Sequence, residues 1–201
     1  NGLTFDSRFV RQGFIFFAFP GTNTDGHLFI ADAVARGASV IVYSDPNISF
    51  PAHWRVSWIR VDDVRKTMAQ AAARFYEHPS REMRLFGVTG TNGKSTCVCL
   101  MHHLMRESHR DSVLMSTVEI RVNDELIDEP YNTTPGVLEI VDVLKKAKEN
   151  KIDFINLEIS SHGIAQKRIE NLKFDVISFT NITRDHLDYH KNFEEYEATK
   201  L

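Results

Sequence analysis

This sequence predicts an α/β protein: a small N-terminal α/β domain, then a second domain whose mostly parallel sheet carries a phosphate-binding loop. Three observations carry that prediction. Short apolar runs alternate with segments of helical periodicity along nearly the whole chain. An apolar run, a glycine-rich turn and a helical pattern follow one another in Leu85-Phe86-Gly87-Val88-Thr89-Gly90-Thr91-Asn92-Gly93-Lys94-Ser95-Thr96. The alternation is interrupted at Pro79-Ser80-Arg81-Glu82, which sets the expected domains at residues 1–82 and 83–201. Strands that alternate with helices build parallel sheets with helices packed on them.

The first domain begins with Phe14 to Phe19, a strand closed by the turn residues Pro20-Gly21. His27 to Arg36 spaces Leu28, Ile30, Ala31 and Val34 as a helix does, and Gly37 ends it. Ser39 to Tyr43 and Val56 to Val61 read as strands. Asp62 or Asp63 can cap a helix whose Val64, Met68, Ala71 and Phe75 form one apolar stripe.

The second domain opens with a strand from about Arg84 and a helix from about Lys94 to Arg106. Asp111 to Val118 is the next strand, and Glu119 to Asp128 reads as a hairpin turning at Asn123-Asp124. Thr134 is expected to cap a helix that has Pro135 at its first position and runs to about Asn150. Leu138, Val141 and Leu144 would point inward from it. Phe154 to Ile159 and Phe174 to Thr180 are two further strands, and a last helix begins near Asn192. In such a sheet ligands bind at the C-terminal strand ends, where Gly90 to Ser95, Glu158 to His162 and Thr180 to His186 all fall.

The loop after the first of these strands has a recognisable chemistry. Glycines let backbone N–H groups close around phosphate oxygens, and a helix N-terminus adds a favourable dipole. Lys94 would neutralise the outer phosphates, and a Ser95 or Thr96 hydroxyl would ligate Mg²⁺. Val88 stands where the usual spacing places the first glycine, with Gly87 and Gly90 on either side.

A chain of 201 residues, 42% hydrophobic and 25% charged, is globular with room for a sizeable core. A net charge of −3 argues against a general nucleic-acid-binding surface. No apolar run approaches the ~20 residues of a membrane span, and no signal-peptide pattern opens the chain. The expectation is a cytoplasmic protein with neither nucleic acid nor membrane as partner. Asn1 stands where an initiator Met would, so the chain is read as processed or truncated at that end. Cys97 and Cys99, two apart on a helix, do not share a face and are expected to be buried free thiols.

Other residues with chemistry to offer are Glu158, His186, His190 and Lys200. A carboxylate at a strand end across from a phosphate loop can hold Mg²⁺, although a lone glutamate there is more often solvated. His186 and His190 lie one helical turn apart with no intervening metalloprotease glutamate, which argues against zinc hydrolysis. Lys200 taken alone reads as a solvated lysine.

Four stretches together resemble the Mur ligases of peptidoglycan synthesis: Gly87 to Thr96, Asn132-Thr-Thr-Pro135, Glu158-Ile-Ser-Ser-His-Gly163 and Phe179 to His190. Asp6-Ser7-Arg8, Phe16-Phe17-Ala18 and Gly21 to Gly26 resemble the MurE type, UDP-N-acetylmuramoyl-tripeptide synthetase. The resemblance implies a UDP-binding domain, a central ATPase domain and a C-terminal domain that helps bind the incoming amino acid. The activity it implies is ATP-dependent addition of a diamino acid to UDP-MurNAc-L-Ala-D-Glu through an acyl phosphate, in a monomeric enzyme.

By that resemblance Gly90, Thr91, Asn92, Gly93, Lys94, Ser95 and Thr96 hold ATP phosphates, and Ser95, Glu158 and His186 belong to Mg²⁺ sites. Phe5, Ser7, Thr22, Asn23 and Thr24 match positions around the uridine end of the substrate. Asn132, Thr133, Thr134, Ser160, Gln166 and Arg168 match positions contacting the rest of the UDP-MurNAc-dipeptide. Lys200 matches a lysine that becomes carbamylated, an anion able to bind a second Mg²⁺. The chain stops one residue after Lys200, so the end of the central domain and the C-terminal domain are expected to be missing, and ligation by this piece alone is not expected. Competing readings are another Mur-type ligase, a regulatory P-loop NTPase and a UDP-sugar-binding module with a vestigial loop. Folylpolyglutamate and cyanophycin synthetases share the loop type but should lack the Asp6-Ser7-Arg8 region.

Overall fold

The computed structural model describes residues 2–21, 24–130, 132–185 and 189–201. Its backbone divides into two compact units, Asn1–Ala72 and Ala73–Leu201. The division falls inside a helix, upstream of the 82/83 boundary read from Pro79.

The first unit is a four-stranded parallel sheet of β1 (Leu3–Thr4), β2 (Ile15–Phe17), β3 (Val40–Tyr43) and β4 (Ser57–Arg60), in that spatial order. Helix α1 (Ile30–Ala35) follows a 3-10 turn at Gly26–Phe29, and α2 (Val64–Phe75) follows β4. Phe16, Ala18, Ile30, Ala33 and Ile41 form the core. Asp63 caps α2, accepting from Lys66 N at 2.9 Å. The apolar stripe of α2 differs from the expected one: Met68, Ala69, Ala72 and Ala73 are buried, whereas Phe75 at the helix end is 45% exposed. Strand β1 is too short to leave a periodic signal.

The second unit is a six-stranded sheet formed by β5 (Arg84–Thr89), β6 (Ser112–Met115), β7 (Ile120–Val122), β8 (Glu125–Asp128), β9 (Phe154–Glu158) and β10 (Val176–Phe179). The spatial order is β10-β5-β9-β6-β7-β8, parallel as far as β6, with β7 and β8 antiparallel. Its helices are α3 (Lys94–Glu107), α4 (Val137–Glu149), α5 (Ser161–Ala165) and α6 (Phe193–Lys200). The α/β class with mostly parallel sheets is as the sequence predicts.

Strand periodicity decides which side chains meet which helix. Leu85, Val113, Met115, Ile155 and Leu157 pack with Ile140, Leu144 and Ala147 of α4. The alternate set, Val88 and Leu114, packs on Val98 of α3. Asn156 and Glu158 share that second parity on β9, so they rise on the α3 side of the sheet.

Thr134 does not cap α4, contrary to the sequence expectation. Gly136 is the N-cap, and Glu139 Oε2 accepts from its N–H at 3.1 Å. Pro135 therefore lies before the helix, and the Thr134 hydroxyl is committed elsewhere. The inward face of α4 is Val137, Ile140, Val141, Val143, Leu144 and Ala147, while Leu138 is only half-buried. Cys97 and Cys99 are free but only partly buried, each packed at the margin of the Val88, Val98 and Leu114 cluster. Among the described residues no helix is long and apolar enough to cross a membrane.

A buried polar chain ties α3 to the sheet. His102 Nε2 donates to the Asn123 carbonyl at 3.0 Å, and its Nδ1 accepts from Ser112 Oγ at 3.0 Å. Asn156 Nδ2 donates to the same Ser112 oxygen at 2.9 Å. Burial pushes the His102 pKa below its ordinary value. With the folded pKa the lower one, acidification through the ordinary histidine range protonates the unfolded chain first, so stability falls as pH drops through that window. His102→Gln is expected to shrink the loss of melting temperature between pH 7.5 and 5.5. An equal loss in variant and wild type would contradict this.

Candidate functional site

The loop between β5 and α3 is built from two glycines with positive φ. Gly90 has φ +135° and Gly93, the N-cap of α3, has φ +85°. The first N–H groups of α3 have no intrahelical acceptor, so those of Lys94, Ser95 and Thr96 are donors available at a helix N-terminus. Lys94 Nζ folds back to donate to the Thr91 carbonyl at 2.7 Å.

The segment after β10 holds this loop in shape. Thr91 N donates to the Asn181 carbonyl at 2.8 Å and Asn92 N to Asn181 Oδ1 at 3.1 Å. Thr180 Oγ1 and Asn181 Nδ2 donate back to the Asn92 carbonyl at 2.7 and 3.1 Å. Thr91 Oγ1 accepts from Thr183 N at 3.0 Å and lies 2.9 Å from the hydroxyl of Tyr196, which is fully buried.

Tyr196 is one helical turn before Lys200 on α6, and this brings the lysine to the loop. Lys200 is buried, donates to the Gly90 carbonyl at 2.6 Å and to Thr89 Oγ1 at 3.4 Å, and sits 5.0 Å over the Tyr196 ring. Burial, and then the charge of Lys94, lowers its pKa to about 8, against the opposing pull of Asp185 and Glu158. The solvated lysine that the sequence alone suggests is thus replaced by a desolvated one.

Glu158 is likewise not the solvated strand-end glutamate of the isolated motif. It is 2% exposed and pairs in register with Val88, near the end of β5 and just before the loop. Thr117 N and Thr117 Oγ1 each donate to its Oε2 at 2.9 Å. Thr117 follows β6, on the strand next to β9.

A second group gathers beside Glu158. Thr134 Oγ1 donates to the Glu158 carbonyl at 3.0 Å and accepts from Ser160 N at 2.8 Å. Ser160 Oγ caps α5 by accepting from Gly163 N at 3.0 Å. Gly163 is required here by space, since a Cβ would stand 2.7 Å from Thr134 Cβ. Arg168 donates to the Thr134 carbonyl at 2.5 Å, to Gln166 Oε1 at 2.7 Å and to Asn132 Oδ1 at 3.4 Å. Asn132, Thr134, Ser160, Gln166 and Arg168, scattered over 37 sequence positions, therefore meet in one hydrogen-bonded group, with Thr133 half-buried in the same segment. The His162 and Tyr189 rings lie 4.0 Å apart between centroids and tilted, and His190 packs 5.4 Å from Tyr196.

In the first unit Phe5, Ser7 and Thr24 line a cleft of about 440 Å³ together with Arg8, Phe19 and Phe29. Phe5 and Phe19 are 5.8 Å apart and tilted, and the Arg65 guanidinium lies 4.5 Å over Phe19. Arg8 beside Asp6 holds that carboxyl below its usual range. An apolar, aromatic wall with a few polar groups suits a flat heteroaromatic ligand.

Of the candidates, Thr22, Asn23 and His186 lie outside the described residues. Among the described residues no group of three or more His, Cys, Asp or Glu is clustered as a metal site. Sequence reading missed Thr117 and Tyr196, and had Asn181 only as part of the Thr180 to His186 stretch. Tyr196 had a signal, its one-turn spacing from Lys200; Thr117 had none, because it acts on Glu158 across strands.

Comparison with known proteins places these features in a family. The model of the Mur ligase middle domain matches residues 88–201, and that of the Mur ligase family catalytic domain matches residues 1–76. The UDP-N-acetylmuramoyl-L-alanyl-D-glutamate–2,6-diaminopimelate ligase of Fusobacterium nucleatum is 38% identical over 200 residues, covering 100% of this chain and 40% of its own length. The Geobacter sulfurreducens protein of the same name is 40% identical, with 38% of its length covered. UDP-N-acetylmuramyl-tripeptide synthetase 2 of Oceanobacillus iheyensis is 36% identical over 201 residues. A solved diaminopimelate ligase structure superposes with TM-score 0.84 at 28% identity, covering 99% of this chain and 39% of that one. The chain thus spans about 40% of the length of these relatives.

Proposed function

Since this chain belongs to the Mur ligase family, we propose that it carries the UDP-sugar-binding and ATP-binding parts of an ADP-forming ligase that adds a diamino acid to UDP-MurNAc-L-Ala-D-Glu. The observation that carries the reading is the buried meeting of Lys200 with the Gly90 carbonyl of the phosphate loop, within electrostatic reach of Lys94 and Glu158. The names of the relatives, most of them 2,6-diaminopimelate ligases, support the substrate class. ATP and a nucleotide-sugar as substrates make the cytoplasm the place of action.

In the proposed reaction a substrate carboxylate oxygen bonds to the γ-phosphorus of ATP as the bond to ADP breaks. The carboxylate, a poor electrophile, becomes an acyl phosphate. The amine then forms the C–N bond, phosphate leaves with the C–O electron pair, and the amine's proton passes to solvent. Within Gly90 to Thr96 the free N–H groups at the start of α3 hold the phosphates, Thr91 and Asn92 keep the loop in shape through Asn181, and Lys94 offsets the phosphate charge. Asn132, Thr133, Thr134, Ser160, Gln166 and Arg168 orient the sugar-peptide so that its carboxylate faces the loop. Phe5, Ser7 and Thr24, with Thr22 and Asn23, take the uridine end.

The donor set fits magnesium. Glu158 is a buried carboxylate whose Oε1 accepts no hydrogen bond among the described residues, and Ser95 offers a hydroxyl, both hard oxygen ligands. Bound Mg²⁺ would supply further neutralisation of phosphate charge, held by Ser95, Glu158, His186 and Lys200. Lys200 fits as a carbamate and not as an ammonium. Its pKa of about 8 leaves roughly a tenth of it as free amine at pH 7; that nitrogen bonds to the carbon of CO₂ and releases a proton to solvent.

Product analysis on the full-length protein tests the proposal. ADP release should require both UDP-MurNAc-dipeptide and a diamino acid, 2,6-diaminopimelate being the first to try. Hydrolysis indifferent to both would identify a regulatory NTPase instead, and sugar-nucleotide binding without ATP binding a non-catalytic module.

A further inference from the structure

The turn after β6 is built as a clip for one carboxylate oxygen. Ser116 is fully buried, and its Oγ accepts from Val118 N and Glu119 N, both at 3.2 Å, while donating to the Glu119 carbonyl at 3.1 Å. Ser116 N donates to that same carbonyl at 3.0 Å. These bonds fix the backbone at Thr117, whose N–H and hydroxyl then converge on Glu158 Oε2 at 2.9 Å each. The grip is asymmetric: both donors take Oε2, and among the described residues none takes Oε1.

We infer that Thr117 is a positioning residue for the metal-binding carboxylate: it immobilises Oε2 of Glu158 and so leaves Oε1 as the oxygen presented to a divalent cation. The inference rests on the reading of Glu158 as a metal ligand. Its physical basis is general. A carboxylate held by two donors from one rigid turn loses little rotamer entropy on ligation, and partners that orient metal ligands typically govern metal affinity by 10–100-fold. A buried carboxylate with no such partners would instead face a large cost for remaining ionised.

The test is Mn²⁺ titration, read by electron paramagnetic resonance, of the full-length protein saturated with a non-hydrolysable ATP analogue. Thr117→Val, which keeps shape and backbone N–H but loses the hydroxyl, should weaken Mn²⁺ binding by about tenfold or more. Thr117→Ser should bind as wild type does, and Thr117→Ala should match the valine variant. Melting curves establish that the variants fold; the backbone donor that each retains keeps Oε2 partnered. With Mg²⁺ and ATP, kcat should fall in the valine variant while the KM for the UDP-sugar substrate stays unchanged. Wild-type Mn²⁺ affinity in the folded valine or alanine variant overturns the inference, as does failure of serine to restore it. Glu158→Gln separates the two levels. If it loses Mn²⁺ binding while Thr117→Val does not, only the positioning role falls. If it too binds Mn²⁺ normally, the metal role of Glu158 falls with it.

Discussion

Lys94→Ala in the full-length protein lowers coupled ADP formation by about 10³-fold, the expected loss of a preorganised charge aimed at a transferring phosphoryl group. Lys94 makes no ion pair among the described residues and is folded onto the Thr91 carbonyl at the mouth of α3. A second cation, Lys200, lies within its electrostatic reach, and Lys94 helps to depress the pKa of that lysine. Two positive groups held close together, with Asp185 and Glu158 offsetting them only in part, suit the binding of a polyanion. The loss should appear in kcat and in ATP affinity, with UDP-sugar binding intact, because the first unit's cleft lies on other residues. Coupled turnover within tenfold of wild type would remove Lys94 from the proposed chemistry.

Gly90→Ala is expected to destabilise the protein by about 2–4 kcal/mol, the sum of a backbone conformation open to few residues but glycine and an overpacked contact. Gly90 has φ +135°, and a Cβ there would collide with Thr180 Oγ1 and stand 2.9 Å from the Asn181 carbonyl and 3.1 Å from Asn181 N. The threonine hydroxyl can rotate away; the Asn181 backbone cannot, because it also binds Thr91 N. Adding Thr180→Ala should therefore restore only part of the loss. The melting temperature should fall by roughly 5–15 °C for a unit of this size, and ATP binding should go with it. A melt superimposable on wild type would show that the loop accommodates the side chain.

The two outcomes also mark where sequence reading succeeds. The β5–loop–α3 unit was legible because every signal in it is local: an apolar run, glycines for the turn, a helix opening at Lys94. The β7–β8 hairpin was legible for the same reason, with Asn123 at φ +55° in the turn that Asn123-Asp124 suggested. Thr134 and Pro135 misled because the local rule for a helix start was satisfied two residues early, while the threonine hydroxyl was taken by Glu158 and Ser160 from β9 and its following turn. Phe75 misled because periodicity continues to a helix's end even where nothing remains to cover it.

The sequence by itself determined the class of most elements, β1 and α5 excepted, the phosphate loop and, through its motifs, the family. It could not determine the state of Glu158 or Lys200. A carboxylate at a strand end and a lysine on a helix are solvated by default, and what desolvates these two comes from 41 and 110 positions away, from Thr117 and from Gly90. Strand order decides such encounters: β9 inserts between β5 and β6, which sets Glu158 between the loop and the Thr117 turn. Pairing of distant strands follows from burying the whole sheet at once, an energy that no local window of residues contains.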